Sequence, residues 1–123
     1  AIDVIAKVGG LDIAGMVGCY LGAAICQMPI LIDGFISAVS AYLACMLNQT
    51  AKEYMIPTHC SAEPAAKMIM EKLGMEAPLH AGMHLGEGTG AIMGLSLIDQ
   101  ALNVYYHVAT FEGGHVEAYT HQV

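Results

Sequence analysis

Apolar residues along the chain fall into short, strand-like runs separated by longer, helix-like stretches. The short runs are "PILID", "MIPTHC" and "LHAGMHL", each bounded by turn-forming or polar residues. The longer stretches are rich in Ala, Leu and Met at helical spacing and cover residues 13–26, 35–54, 62–74 and 90–111. We therefore predict an alternation of helix and strand, with one helix ending at Gly74 and the longest helix last.

Apolar strands that alternate with helices indicate a parallel sheet with helices on both faces. Right-handed crossovers bring the loops after the predicted strands to one edge of the sheet, where open α/β sheets bind their ligands. These loops are "DGF", "HCSAE" and "LGEGTG". The predicted fold class is α/β, Rossmann-like with three layers, ending in a long helix. A sheet of only three strands would leave the backbone unpaired at both edges. We therefore expect a fragment of a larger domain.

A membrane hairpin is the main competing interpretation, because residues 13–32 run for about one bilayer thickness without a charge. Pro29 lies inside this run, Asp33 and Gly34 follow it, and no Lys or Arg cluster flanks it, which disfavours insertion.

Charged residues make up 12% of the chain, about half the usual share. We expect the 56% of hydrophobic residues to be partly buried in a longer chain or a subunit interface. The opening "AIDVIAKVGG" is typical of a chain interior.

Charge and cysteine content narrow the functional class further. The net charge of −7 arises from eleven acidic residues and four lysines, without arginine. Nucleic-acid binding is disfavoured because it needs a clustered basic surface. The four cysteines form no CxxC pair, which is typical of reduced thiols in a cytoplasmic protein.

Each loop at the predicted sheet edge also has a purely structural interpretation. Asp33 could cap the helix that follows it, and Ser61 could cap the helix after "SAEP", or could bind a phosphate together with free N–H groups. "GEGTGA" fits a dinucleotide-binding pattern, but the Glu87 carboxylate would repel a pyrophosphate. We instead expect the glycines to let the backbone approach a flat or sugar ligand. Thr89 would then cap the last helix, and Glu87 would accept a proton.

Histidines offer a metal site as an alternative. His80 and His84 share a face at their spacing, and His59 lies in a neighbouring loop. Cys60 or Glu87 could supply a further ligand. The sequence has no HExxH motif and no paired cysteines, so we predict neither a metal nor a cofactor.

Four sequence blocks, in this order and spacing, resemble a known family. The blocks are "GGLDIAGM", "PILIDGFIS", "HCSAEPA" and "LGEGTGAIMGLSLIDQAL". They are similar to the C-terminal part of nicotinate-nucleotide:dimethylbenzimidazole phosphoribosyltransferase, the enzyme that prepares the lower ligand of cobalamin. The resemblance covers residues 1–111 and leaves residues 112–123 as a C-terminal tail. Members of this family are much longer, which again indicates a fragment.

The resemblance implies roles for particular residues. Glu87 matches the general base of the family. The other matches are to substrate-binding positions: Asp33 near the ribose, Ser61 at the phosphate, Leu85, Gly86 and Gly88 around the nucleotide, and Gly9 and Gly10 beside the phosphate region.

The resemblance also implies a reaction, the transfer of the phosphoribosyl group from nicotinate mononucleotide to 5,6-dimethylbenzimidazole. One nitrogen of the benzimidazole attacks the anomeric carbon while its other nitrogen loses a proton, which a carboxylate can accept. The pyridinium ring of nicotinate leaves as a neutral pyridine ring, so we expect no metal requirement. A homodimer is expected from the same resemblance. The charge and hydropathy patterns described above lead us to expect a cytoplasmic protein with no membrane or nucleic-acid partner.

Two departures keep an alternative open. His84 stands where family members often have Arg, and the benzimidazole pocket of the family precedes the matched part. The alternative is a non-catalytic nucleotide-binding α/β module or an inactive fragment. The preferred base, dimethylbenzimidazole or another benzimidazole or purine, is left open.

Overall fold

The computed structural model describes residues 1–117, within which helices and short strands alternate. In chain order the elements are α1 (Ile2–Val8), α2 (Leu11–Ile25), β1 (Ile30–Ile32), α3 (Phe35–Leu47), a 3₁₀ helix (Gln49–Tyr54), β2 (Met55–Pro57), α4 (Ala66–Leu73) and α5 (Thr89–His107). The predicted alternation is confirmed, and α4 ends at a left-handed Gly74 (φ 62°) as expected. Of the predicted tail, residues 118–123 lie outside the described part, and the boundary at residue 111 stays a prediction.

Strands β1 and β2 lie side by side and parallel, with Ile30 opposite Met55 and Leu31 opposite Ile56. Successive side chains of a strand point to opposite faces. Ile30 and Met55 join the hydrophobic core formed with α2, α3 and α4, whereas Ile56 lines a cavity beside α5. Helices therefore cover both faces of the sheet, and the predicted α/β class is confirmed.

The segment over residues 79–85, predicted as a strand or an extended segment, is not a regular strand. It forms a single parallel bridge between Leu79 and His59. Pro78, which precedes it, has no N–H to donate, and Gly82 adopts a left-handed conformation (φ 63°) that interrupts the extended backbone. The segment is nevertheless attached beside the end of β2, because the Cys60 N–H donates to the Leu79 carbonyl (2.9 Å).

The helix predicted over residues 35–54 is interrupted at Asn48. Asn48 adopts an extended conformation (φ −147°), and its side chain accepts a hydrogen bond from Thr50 N (3.1 Å). Such local side-chain bonds compete with helical hydrogen bonding. The chain therefore leaves α3 and continues as a 3₁₀ helix into β2.

Very small side chains fill much of the core. Ala41, Ala44 and Ala51 have no exposed surface, and Ala38 is nearly as buried. The distance between packed helices depends on the side chains at their contact, so these alanines allow close packing of α2 and α3.

Helix α5 contacts the rest of the fold through glycines. Gly90 and Gly94 are its buried residues. A Cβ atom would lie 1.8 Å from His59 Nδ1 if added to Gly90, and 2.5 Å from Thr58 Cγ2 if added to Gly94. Only glycine lets α5 lie this close to the segment after β2. Many apolar side chains of α5 are exposed: Ile92, Met93, Leu95, Leu97, Leu102, Val104, Tyr105 and Tyr106.

No helix within residues 1–117 combines the length and the hydrophobicity needed to cross a bilayer.

We expect Gly94→Ala to lower the free energy of unfolding by about 1–3 kcal/mol, because the added methyl group would overlap Thr58. The control is Gly22→Ala in α2, where a Cβ atom meets nothing within 4 Å. That change should raise the free energy of unfolding by up to about 1 kcal/mol, since alanine favours a helix. Urea unfolding of the natural chain at its full length measures both. Equal effects of the two substitutions would contradict the close contact.

Candidate active site

The loops that follow β1 and β2 and the loop that precedes α5 meet at one cavity of about 480 Å³. Its lining comprises residues 33–37 and 84–88 together with Met16, Ser61 and Glu63. The loops predicted to share the carboxyl edge of the sheet are therefore neighbours in space. Ligands of open α/β sheets bind at this edge.

The Asp33 carboxylate binds the start of α5. Its oxygens accept hydrogen bonds from Gly88 N (3.0 Å) and Ala91 N (2.9 Å). The first N–H groups of a helix lack helical partners, and the helix dipole favours a negative charge beside them. The structural interpretation of Asp33 as the cap of the following helix is wrong, because α3 begins after Gly34 without a side-chain cap bond. Asp33 instead caps a helix whose bonded residues lie 55 and 58 positions further along.

A partly buried pair of hydroxyl groups, from Tyr20 and Ser37, stabilises the backbone at Asp33. Ser37 Oγ accepts a hydrogen bond from Asp33 N (3.1 Å) and lies 2.5 Å from the Tyr20 hydroxyl of α2. Burial raises the pKa of Tyr20 to about 12; the hydrogen bond to Ser37 opposes this rise, and the negative charge of Asp33 adds to it. These two hydrogen bonds through Ser37 connect the loop after β1 to α2.

Glu87 is exposed at the cavity in a left-handed conformation (φ 54°), between Gly86 (φ 74°) and Gly88 (φ 80°). A left-handed residue other than glycine costs about 1–3 kcal/mol and persists only where its surroundings hold it. The Thr89 hydroxyl donates to the Gly86 carbonyl (2.7 Å) and closes this turn. The expectation that Thr89 caps α5 is therefore wrong. Its hydroxyl is a donor here, and Asp33 accepts from the helix start instead.

Ser61 is buried beside the cavity. Its hydroxyl donates to the Glu63 carboxylate, and the Met83 carbonyl lies 3.2 Å away. The interpretation of Ser61 as a helix cap is wrong, since α4 begins at Ala66 with Ala65 as its N-cap residue. A turn separates Ser61 from α4, so the Ser61 hydroxyl stays at the cavity.

Glu63 is a cavity residue that the sequence analysis did not identify as part of a site. In "SAEP" it resembles an ordinary acidic residue near a helix start, and only the turn after Ser61 directs it to the cavity. Asp33 and Glu87 add two further carboxylates to the same lining. Among the described residues, no Lys or Arg lines this cavity. A bound phosphate would therefore need positive charge from elsewhere.

The remaining predicted site residues divide into two groups. Leu85, Gly86 and Gly88 line the cavity. Gly9 ends α1 and Gly10 precedes α2, and neither belongs to the described lining. The structure thus brings most of the predicted residues together but leaves the α1–α2 junction apart.

The histidines considered for a metal site are separated. His84 lines the main cavity, whereas His80 and Cys60 line a second cavity of about 460 Å³. His59 is buried, and its Nδ1 has no hydrogen-bond partner among the described residues. Within residues 1–117, no group of three or more His, Cys, Asp or Glu side chains could hold a metal ion.

The chain is an α/β protein with a cavity at the carboxyl edge of two parallel strands, and a glycine-flanked carboxylate lines that cavity. A family model described as "Phosphoribosyltransferase" matches residues 1–116. The chain belongs to this phosphoribosyltransferase family.

Two relatives are named nicotinate-nucleotide–dimethylbenzimidazole phosphoribosyltransferase. The one from Acetivibrio thermocellus is 50% identical over 122 residues, which is 99% of this chain and 35% of that protein. The one from Clostridium acetobutylicum is 52% identical over 118 residues, 96% of this chain and 34% of that protein. The family resemblance inferred from the sequence blocks is confirmed, and the chain spans about a third of the length of these relatives.

A solved structure agrees with this assignment. The crystal structure of CobT from Thermus thermophilus superposes with a TM-score of 0.86 at 32% identity. The match covers 93% of this chain and 34% of that chain.

We expect Tyr20 to make the protein less stable at alkaline pH. An unfolded tyrosine ionises near pH 10, whereas burial raises the pKa of folded Tyr20 to about 12. Its stabilising contribution is full below pH 10 and is lost between pH 10 and 12, by about 2–3 kcal/mol in total. Urea unfolding at pH 9 and pH 11 measures the loss, which Tyr20→Phe should reduce and Tyr105→Phe, at an exposed site, should not. Parallel pH curves for the parent and Tyr20→Phe would contradict this origin.

Proposed function

We propose that the protein carrying this chain transfers the phosphoribosyl group from nicotinate mononucleotide to 5,6-dimethylbenzimidazole, forming α-ribazole 5′-phosphate and nicotinate. The observation that supports this most is the exposed Glu87 carboxylate on a left-handed turn beside a cavity. The names of the relatives support the choice of substrates. The product would serve as the lower ligand of cobalamin.

Glu87 is the proposed general base. One benzimidazole nitrogen forms a bond to C1′ of the ribose as the bond from C1′ to the nicotinate nitrogen breaks, and that electron pair returns to the pyridine ring. The other benzimidazole nitrogen gives its proton to Glu87. The carboxylate also offsets the positive charge that grows on the base. Attack opposite the leaving group converts the β-nucleotide to an α-riboside.

Substrate contacts are proposed for the residues that the resemblance implies. Glycine backbone at the Glu87 turn leaves space for a flat bicyclic base. The Ser61 hydroxyl, which donates to Glu63 here, would turn to the phosphate when substrate binds. The proposed set comprises Asp33, Ser61, Leu85, Gly86 and Gly88 at the cavity, and Gly9 and Gly10 from the α1–α2 junction.

The acidic cavity limits what this chain does by itself. Since Lys and Arg are missing from its described lining, we propose that the remaining length of the protein supplies the positive charge for the phosphate and the benzimidazole pocket. Residues 1–123 alone would then be inactive. A cytoplasmic homodimer without metal or cofactor completes the proposal.

The decisive variant is Glu87→Gln in the natural chain at its full length. Given both substrates, the parent should release α-ribazole 5′-phosphate and nicotinate together, and the variant should be slower by about 10²–10⁴-fold, the scale of general-base catalysis. Chromatography measures both products. Glu53→Gln, the same change at an exposed position, is the control and should match the parent.

Two other outcomes of this experiment would contradict the proposed role of Glu87 or the proposed activity. If Glu87→Gln is as fast as the parent, Glu87 is a binding or turn residue. If the parent binds nicotinate mononucleotide but forms no product, the non-catalytic nucleotide-binding module is correct.

A further inference from the structure

We propose that Asp33 is a positioning residue for Glu87, a role that rests on the proposed function of Glu87 as the base. The Asp33 carboxylate accepts hydrogen bonds from Gly88 N, directly after Glu87 in the chain, and from Ala91 N in the first turn of α5. The carboxylate thus fixes the backbone from which the Glu87 side chain extends.

The conformation of Glu87 requires such support. Glu87 is exposed, so burial of its own side chain does not hold it in place. Its left-handed backbone conformation persists only where neighbouring contacts impose it. The charge-assisted hydrogen bonds that Asp33 accepts are among the stronger contacts available for this purpose.

A second contact fixes the start of α5 from the side of β2. Gly90 lies against His59, where an added Cβ atom would be 1.8 Å from Nδ1. Asp33 follows β1 directly, and its N–H donates a hydrogen bond to Ser37 Oγ (3.1 Å). Both strand ends therefore determine where the turn with Glu87 lies.

A direct ribose contact by Asp33 would leave a different kinetic signature. Each carboxylate oxygen can accept more than one hydrogen bond, so geometry alone allows both roles. A lost ribose contact weakens binding and raises KM, whereas a displaced base lowers kcat. A residue that acts through Glu87 also has no effect once Glu87 is disabled.

The test is a double-mutant cycle of Asp33→Asn and Glu87→Gln in the natural chain at its full length. In the parent, Asp33→Asn should lower kcat by about 10–10²-fold, the cost of a misplaced catalytic group. The proposed ribose contact of Asp33 would add a rise in the KM for nicotinate mononucleotide in both backgrounds, so the positioning role is tested by kcat. In the Glu87→Gln background, Asp33→Asn should change kcat by less than about 2-fold. Asp99→Asn, on the exposed surface of α5, is the control.

The positioning role is overturned if Asp33→Asn raises KM at constant kcat, or if it lowers kcat equally in both backgrounds. Asp33→Ser is measured in parallel, and the cycle uses whichever variant keeps the circular dichroism spectrum of the parent.

Amide hydrogen exchange at Gly88 and Ala91 is an independent readout and should be at least about 10-fold faster without the carboxylate. If the parent forms no product, the proposed function fails. Exchange then decides whether Asp33 holds the turn, and an unchanged rate overturns that as well.

Discussion

The geometry of the site depends on the hydrogen bonds that Gly88 N and Ala91 N donate to the Asp33 carboxylate. The buried residues of helix α5 are Gly90 and Gly94, so side-chain packing contributes little to its attachment to the described fold. A charged acceptor at the first N–H groups satisfies donors that a helix cannot satisfy itself. The same bonds join the end of β1 to the turn that contains Glu87.

Three carboxylates line the cavity, and their hydrogen bonds determine which of them is available to a ligand. Asp33 accepts from the start of α5, and Glu63 accepts from Ser61. Glu87 alone of these three is exposed. Close carboxylates repel one another, and partners for two of them offset part of that cost. The cavity can therefore be lined by three acids and still present one of them to a ligand.

Local patterns in the sequence were sufficient for the fold class but not for the partners of the site residues. Periodicity and turn residues predicted the order of helices and strands, the end of α4 at Gly74 and the shared edge of the three loops. The interpretation of Asp33 as a local cap was wrong, because its actual partners lie 55 and 58 residues away and sequence spacing carries no such information. The same limit applies to Ser61, whose partner at Met83 is 22 residues distant. The role of Glu87 came from family resemblance, and the left-handed turn that holds it came from the structure.

For the proposed reaction, the exposed Glu87 carboxylate beside an acidic cavity is an incomplete arrangement. Water competes for the proton of the substrate and screens the charge of the carboxylate, so an efficient site excludes it when the substrates bind. The described lining contains neither a cation for a phosphate nor a cover over Glu87. The relatives have about two thirds of their length beyond the part matched here. We propose that this chain supplies the base, Glu87, and the residues that hold it, while the remaining length supplies the cation and excludes water.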